Sequence, residues 1–277
     1  MILVTGAAGG PQGSTGRQVV ELLLERGEAV RAFVHSDDHR AEELRKLGAE
    51  VVVGDLREIS SVRPAVRGVR RAFFTYPVTA GLLDATSVFA AAAREEGVER
   101  VVEVSQLDAG PEAGTPRMRR HWVSEQVFDW AGVGAVHLRA AVFFENLAVV
   151  ATAGDGGELA LPLGSRDTLL PLVAAADVAR AGARLLLEPG PVDPICLLTG
   201  QMATIGQVAD AMGLRYVDLP PEQWEERAMA VYGDPYAVEH LSHLWAIFRF
   251  IGSADHPLYR VTIERPVTLD AFVRSTT

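Results

Sequence analysis

Over the first half of the chain, apolar and polar positions fall into a repeating order. Short apolar-rich runs stand at residues 2–5, 29–34, 50–53, 70–75, 100–104 and 135–139, and they predict six strands. Between them, apolar residues recur at helical spacing over 17–26, 38–47, a stretch holding Val62 and Val66, 82–96 and 118–131. Gly27, Gly48 and Gly97 follow three of these segments as helix stops. Strands alternating with helices at short spacing predict an α/β fold, a doubly wound parallel sheet with right-handed crossovers. In such a sheet a ligand belongs at the carboxyl ends of the strands, near the point where the strand order reverses.

From about Gly154 the order breaks down. Gly and Pro become frequent, and aromatic residues cluster over 216–259: Tyr216, Trp224, Tyr232, Tyr236, Trp245, Phe248, Phe250 and Tyr259. The chain therefore reads as a core over residues 1–153 and a mixed segment, 154–277, that completes the core and forms a small α+β lobe on the substrate side. There are no internal repeats and no low-complexity linker.

The first strand runs into TGAAGGPQGSTGR, which opens a helix. A glycine-rich strand-to-helix turn lets a pyrophosphate approach the backbone, and the helix N-terminus offers it free N–H groups. Gly6, Gly9, Gly10, Gln12, Gly13, Ser14, Thr15 and Gly16 are the candidate lining. The context is that of a Rossmann dinucleotide site.

Further pieces carry a family resemblance: VVVGDL at 51–56, AFFTYP at 72–77, VVEVSQL at 101–107, HWVSEQVF at 121–128, LRAAVFFENL at 138–147 and PLVAAADVARAGARLL at 171–186. With the N-terminal motif, they make the chain resemble the NmrA-like group of atypical short-chain dehydrogenases/reductases over roughly its first 190 residues. Gly6 and Gly16 stand farther apart than the family's TGATGxxG spacing, which leaves open which loop residues touch phosphate. The resemblance implies an NAD(P)-binding Rossmann fold. It also implies that Asp55 accepts from the adenine amino group with Leu56 beside the ring, although a plain turn aspartate is the competing reading. It places Thr75, Tyr76 and Pro77 beside the cofactor, with Pro77 holding Tyr76 extended.

Cofactor choice is read at the end of the second strand, where an acid favours NAD and a base NADP. The family position that often carries Arg is His35 here, and His35, Ser36 and Arg40 offer a phosphate site. Asp37 and Asp38 follow, with Asp37 suited to cap the next helix. NADP is the expected cofactor and NAD the alternative.

By the same resemblance, Ser105 orients a substrate at the end of the fifth strand. The usual Tyr-x-x-x-Lys dyad is replaced by His121 and Glu125, one helical turn apart. An imidazole oriented by a carboxylate can handle a proton near neutral pH, but the same spacing also occurs as an ordinary helix-surface pair. Without a phenol of lowered pKa, a simple ketone is a poor acceptor, whereas a quinone or conjugated aromatic spreads the charge it receives. The expected activity is therefore NAD(P)H-dependent reduction of a quinone-like or conjugated aromatic molecule. The alternative is a redox sensor that binds dinucleotide and a protein partner without chemistry. The candidate pocket is Tyr76, Phe144, Asn146, Trp224 and Tyr236, with Phe143 also near the nicotinamide.

Charge narrows the partners further. Asp and Glu number 36 against 26 Lys and Arg, a net charge of −10, so nucleic-acid or anionic-membrane binding is not expected. The one cysteine, Cys196, permits no internal disulfide, sits in the apolar run ICLLT and reads as core. No signal peptide is legible after Met1, and no apolar stretch reaches membrane-spanning length, so the cytoplasm is the expected location. His240 and His243 lack a third ligand at recognisable spacing, so no metal is expected, and no GxSxG elbow supports a hydrolase. Homodimerisation is left open.

Overall fold

The computed structural model describes residues 1–10, 14–152, 156–252, 256, 257 and 260–276. Its elements run β1 (Ile2–Val4), α1 (Thr15–Leu24), β2 (Val30–Val34), α2 (His39–Lys46), β3 (Glu50–Val53), α3 (Ile59–Val66), β4 (Arg71–Phe74) and α4 (Leu82–Glu95). There follow β5 (Arg100–Gln106), α5 (Pro116–Ala131), β6 (Val136–Ala140), β7 (Val142–Phe143), α6 (Phe144–Thr152), β8 (Glu158–Leu161), β9 (Leu169–Val173) and α7 (Ala175–Leu187). The chain ends with β10 (Ile195–Leu198), β11 (Gln201–Thr204), α8 (Ile205–Ala211), β12 (Arg215–Asp218), α9 (Pro221–Tyr232), α10 (Pro235–Ile251) and α11 (Leu269–Thr276).

Seven strands form one sheet in the order β10-β6-β5-β4-β1-β2-β3, and every pairing in it is parallel. The six runs expected from the sequence are all present, and β10, with Cys196, extends the edge beside β6. Successive side chains of a strand point to opposite faces. Ile2 and Val4 accordingly pack with α1, α2 and α7 on one face, while Leu3 packs with α3, α4 and α5 on the other. Phe73 and Phe74 divide in the same way, which is why β1 and β4 are apolar nearly throughout.

α7 returns to pack on α1. The rest of the later chain gathers around a separate apolar cluster that includes Phe144, Leu159, Leu172, Trp224, Trp245 and Phe272. It is framed by the three-stranded sheet β11-β9-β7 and the pair β12-β8.

The strand order reverses at β1, whose neighbours are β2 and β4. Thr5, just past β1, is buried, and its Oγ1 donates to the Thr75 carbonyl at 2.9 Å while accepting from the Thr75 N–H at 2.8 Å. This reciprocal pair fixes the ends of β1 and β4 side by side, where the crevice of an open α/β sheet lies.

Candidate active site

A cleft of about 820 Å³ opens at the carboxyl ends of the central strands, within the range of small-molecule and cofactor sites. One end is built by the glycine turn. Gly6 has φ +62°, and a Cβ there would come within 2.5 Å of the Thr75 side chain. At Gly16 a Cβ would lie 2.6 Å from the carbonyl oxygens of Thr5 and Gly6, so α1 can start this close to β1 only without a side chain. Ser14 precedes α1 in the left-handed region, φ 49°, with no side-chain cap on the helix and no acid in its first turn. The helix N-terminus thus faces the cleft with its positive end uncompensated, which suits a phosphate.

The structure places Gly6, Gly9, Gly10, Ser14, Thr15, Gly16, His35, Arg40, Asp55, Leu56, Thr75, Tyr76 and Pro77 along this one cleft. Gln12 and Gly13 lie outside the described residues. Arg40 grips Asp38 and also donates to the Gly9 carbonyl at 3.2 Å, tying the glycine turn to α2. The cap of α2 is Asp38, which accepts from the Arg40 N–H at 2.9 Å, and not Asp37, which pairs with Arg45 at 2.8 Å. Asp55 is held by the Arg57 side chain at 2.7 Å and backbone N–H at 2.8 Å, and the Arg57 bond lowers its pKa to about 2.

The other end holds the protic groups. Ser105, at the end of β5, and His121, on α5, both line the cleft. Glu125 does not pair with His121. It accepts from Ser105 Oγ at 2.6 Å and from both prongs of Arg139, on β6, at 2.9 and 2.6 Å. A carboxylate buried to 1% exposure needs a cation, and the Arg139 fork across the sheet supplies one with two parallel bonds. The expected dyad therefore becomes a Ser105–Glu125–Arg139 chain. Ser105, with its hydrogen committed to Glu125, offers the cleft an acceptor.

His121 is buried, 4% exposed, and among the described residues its Nδ1 has no hydrogen-bond partner. Burial, the charge of Arg117 and the neighbouring His240 hold its pKa well below the ordinary imidazole value. The side chain is therefore a neutral imidazole with one N–H to give.

Of the expected substrate pocket, Tyr76 and Asn146 line the cleft. Phe144 and Trp224 turn into the second core, Phe144 stacked on Phe272 at 5.3 Å and Trp224 edge-on to Trp245 at 6.4 Å. Large rings on α6 and α9 gain more by filling that core than by facing solvent. Tyr236 lies beside the cleft, its ring under Arg120 at 5.0 Å and its hydroxyl accepting from the same guanidinium at 3.0 Å. The lining comes instead from Phe143, Met118 and an apolar stripe on α10, with Leu241, Leu244, Ile247, Phe248 and Ile251. The recurrence of these α10 positions every three or four residues was a helical-face signal available in the sequence. Gln106, Arg117 and His240 also face the cleft, and sequence reasoning missed them as site residues.

The NAD(P)H-binding family model matches residues 10–189. The chain belongs to this family. It binds NAD(P)H, and its fold is one that the regulator NmrA shares. An NAD(P)H azoreductase of Xenophilus azovorans is 29% identical over 258 residues, covering 89% of this chain and 87% of that protein. Among solved structures, the NADPH-dependent quinone oxidoreductase QOR2 of Escherichia coli, complexed with NADPH, superposes with TM-score 0.81 at 22% identity, covering 100% of this chain and 99% of that one. The triphenylmethane reductase of Citrobacter sp., complexed with NADP(H), superposes with TM-score 0.79 at 21% identity over the whole of both chains. Both structural likenesses are of fold. Among the described residues, no helix is long and apolar enough to cross a membrane.

Proposed function

We propose that this chain is an NAD(P)H-dependent reductase of quinone-like or conjugated aromatic acceptors. The observation that carries this reading is the open cleft, whose apolar wall of Met118, Phe143 and the α10 stripe faces Ser105 and His121. A non-catalytic sensor has no need of an open, apolar acceptor space beside its protic groups. The azoreductase relative, which covers most of the chain, supports the same substrate class.

The uncapped start of α1 and the close glycine backbone fit a pyrophosphate, and Leu56, Thr75 and Tyr76 continue the wall toward Ser105. When bound, the nicotinamide cofactor supplies a hydride. The chain's own groups hold an aromatic ring against the α10 stripe, exclude water with it, and present the neutral His121 N–H to the acceptor oxygen that gains charge. The proton that completes a hydroquinone comes from solvent, because His121 carries no ionisable proton to give near neutral pH.

His121→Ala should lower kcat with quinones by about tenfold, below the 10²-fold or more typical of a general acid, and leave NADPH affinity unchanged. Because the imidazole is neutral throughout the range, the parent should show no inflection in kcat between about pH 6 and 8 that the variant lacks. The test is NADPH oxidation against a panel of quinones and enones with both proteins. No turnover with any acceptor defeats the proposal, and equal rates in both proteins remove His121 from it.

NADPH is the proposed preferred cofactor. His35, Ser36 and Arg40 line the cleft at the end of β2, while Asp37 is engaged by Arg45 and Asp38 by the helix cap and Arg40. Arg40→Ala should weaken NADPH about tenfold and NADH hardly at all, the scale of one charge-assisted phosphate contact. Parallel fluorescence titrations decide it, and a parent that prefers NADH refutes it.

A further inference from the structure

We propose that the inner wall of the cleft is a subsite for an acidic oxygen group carried by the aromatic acceptor, a carboxylate or sulfonate on its ring, with Arg117 as the counter-charge. The inference rests on the reductase reading and narrows its substrate class to aromatic acids.

Arg117 is the second residue of α5 and only 3% exposed. Its Nη2 donates to the Pro77 carbonyl at 3.2 Å, while among the described residues Nε and Nη1 meet no acceptor in good hydrogen-bond geometry, the neutral Tyr236 phenol coming nearest to that role. The groups that act most on its charge are the phenols of Tyr236 and Tyr76 and the like-charged Arg120, with no carboxylate among them. A guanidinium stays protonated when buried, so this is a buried cation without an anionic partner. Its position aggravates the deficit, because a positive side chain in the first turn of a helix meets the positive end of the helix dipole. Burial and dipole together call for an anion at this point.

The neighbours are arranged to receive the same group. His121, one turn along α5 from Arg117, keeps its single N–H for the reacting oxygen, so the donor beside Arg117 is His240. His240, from α10, is 5% exposed, with its Nδ1 unpartnered and its Nε2 3.2 Å from Gln106 Nε2. Burial and the Arg117 charge keep both imidazoles neutral, so neither competes with Arg117 for the anion. Of the acids on the cleft, Asp234 is spent on capping α10 through the Tyr236 N–H. Burial raises the pKa of Asp108 and weakens its claim as a counter-ion. Met118, Leu244 and Ile247 on the same wall take the ring. The cofactor's own phosphates have their cradle at the glycine turn, built from other elements.

The test compares two probes of one shape, 2-naphthoate and 2-naphthamide, by calorimetry on the full chain saturated with NADP⁺. The parent should bind the carboxylate at least about tenfold tighter, the scale of a hydrogen bond to a charged group. Arg117→Gln should bring the two within about twofold while NADP⁺ affinity holds, and Arg117→Lys should keep the preference. Should Arg117→Gln not fold, Arg117→Met, of similar length and without the charge, takes its place with the same expected loss of preference. A parent without the preference, or a preference that survives Arg117→Gln, overturns the subsite. So does a loss of NADP⁺ affinity in step with naphthoate, which would assign Arg117 to the cofactor. The preference without turnover of any quinone upholds the subsite and defeats the reductase, and turnover without the preference does the reverse.

Discussion

Gly16→Ala is expected to weaken NAD(P)H binding at least about 100-fold, or about 2.7 kcal/mol. The added methyl group would sit 2.6 Å from two main-chain carbonyl oxygens, those of Thr5 and Gly6, and 2.7 Å from the Gly6 carbonyl carbon. None of these is the end of a flexible side chain. Relief must come from moving α1 off the end of β1, and overpacking of this kind costs about 1–3 kcal/mol in the protein alone. The same movement withdraws the helix N-terminal amides from the place where phosphate binds, so affinity suffers more than stability. Gly10→Ala is the control. It lies on the same cleft, but among the described residues nothing stands within 4 Å of its Cβ position, and its affinity should stay within about twofold. Fluorescence titration of NADPH with a thermal melt of each variant is sufficient. A Gly16→Ala protein that binds within about threefold of the parent would show that the close approach of α1 to β1 is not what forms the site.

The same contrast between backbone and side chain explains what the sequence made legible. The parallel sheet buries both faces of β1, β2 and β4, so their apolar character is nearly continuous and stands out from the helices between them. The glycine turn is legible because a close backbone approach excludes every residue with a Cβ, which leaves a mark in composition. Side-chain partners leave no such mark. Glu125 has His121 one turn away and Arg139 on a neighbouring strand, and only the packing of β5 beside β6 decides between them. Position alone, after β6 and in the aromatic cluster, puts Phe144 and Trp224 in the pocket. An aromatic ring is as suited to a core as to a binding wall, and the second core took both. Arg117 escapes a sequence reading because a basic residue near a helix start ordinarily reads as solvent-exposed, whereas it is 3% exposed and neighbours Tyr236 and His240 of α10, far along the chain. Glu103 belongs to the same class. In a strand it reads as polar surface, yet it is 1% exposed and bonded to His137 at 2.6 Å and Ser124 at 2.8 Å.

Acidification should destabilise this chain steeply through His121 and His240. Unfolded, each imidazole takes a proton near its ordinary value of 6.5, whereas folded His240 is held to about 3 by burial and the Arg117 charge, and folded His121 is also held well below 6.5. Below pH 6.5 the unfolded chain therefore binds more protons than the folded one, and stability rises with pH and is lost as pH falls. His240 contributes about 1.4 kcal/mol per pH unit across that window, so it alone removes about 2–3 kcal/mol between pH 6.5 and 4.5, and His121 adds a loss of the same sign. That is a large share of the stability of a marginal domain, about 5–15 kcal/mol. Two buried groups act differently. Burial works against a charged His137, but its bond to Glu103 outweighs this and raises its pKa, so its contribution is complete below the unfolded value and adds no slope in the acidic window. Glu103, pushed up by burial, takes its proton in the folded state first and offsets part of the loss. Urea unfolding of the parent and of the double variant His121→Gln, His240→Gln, in steps from about pH 7.5 to 4.5, isolates the two histidines. New contacts in the variant shift the whole curve by a constant amount, but only a titrating group changes the slope. The parent should fall more steeply by at least about 1 kcal/mol per pH unit below pH 6 and run parallel to the variant between about pH 7 and 7.5. Parallel curves throughout would mean that both imidazoles are charged or hydrated in the folded protein, and that the wall of the cleft they share with Arg117 is open to water.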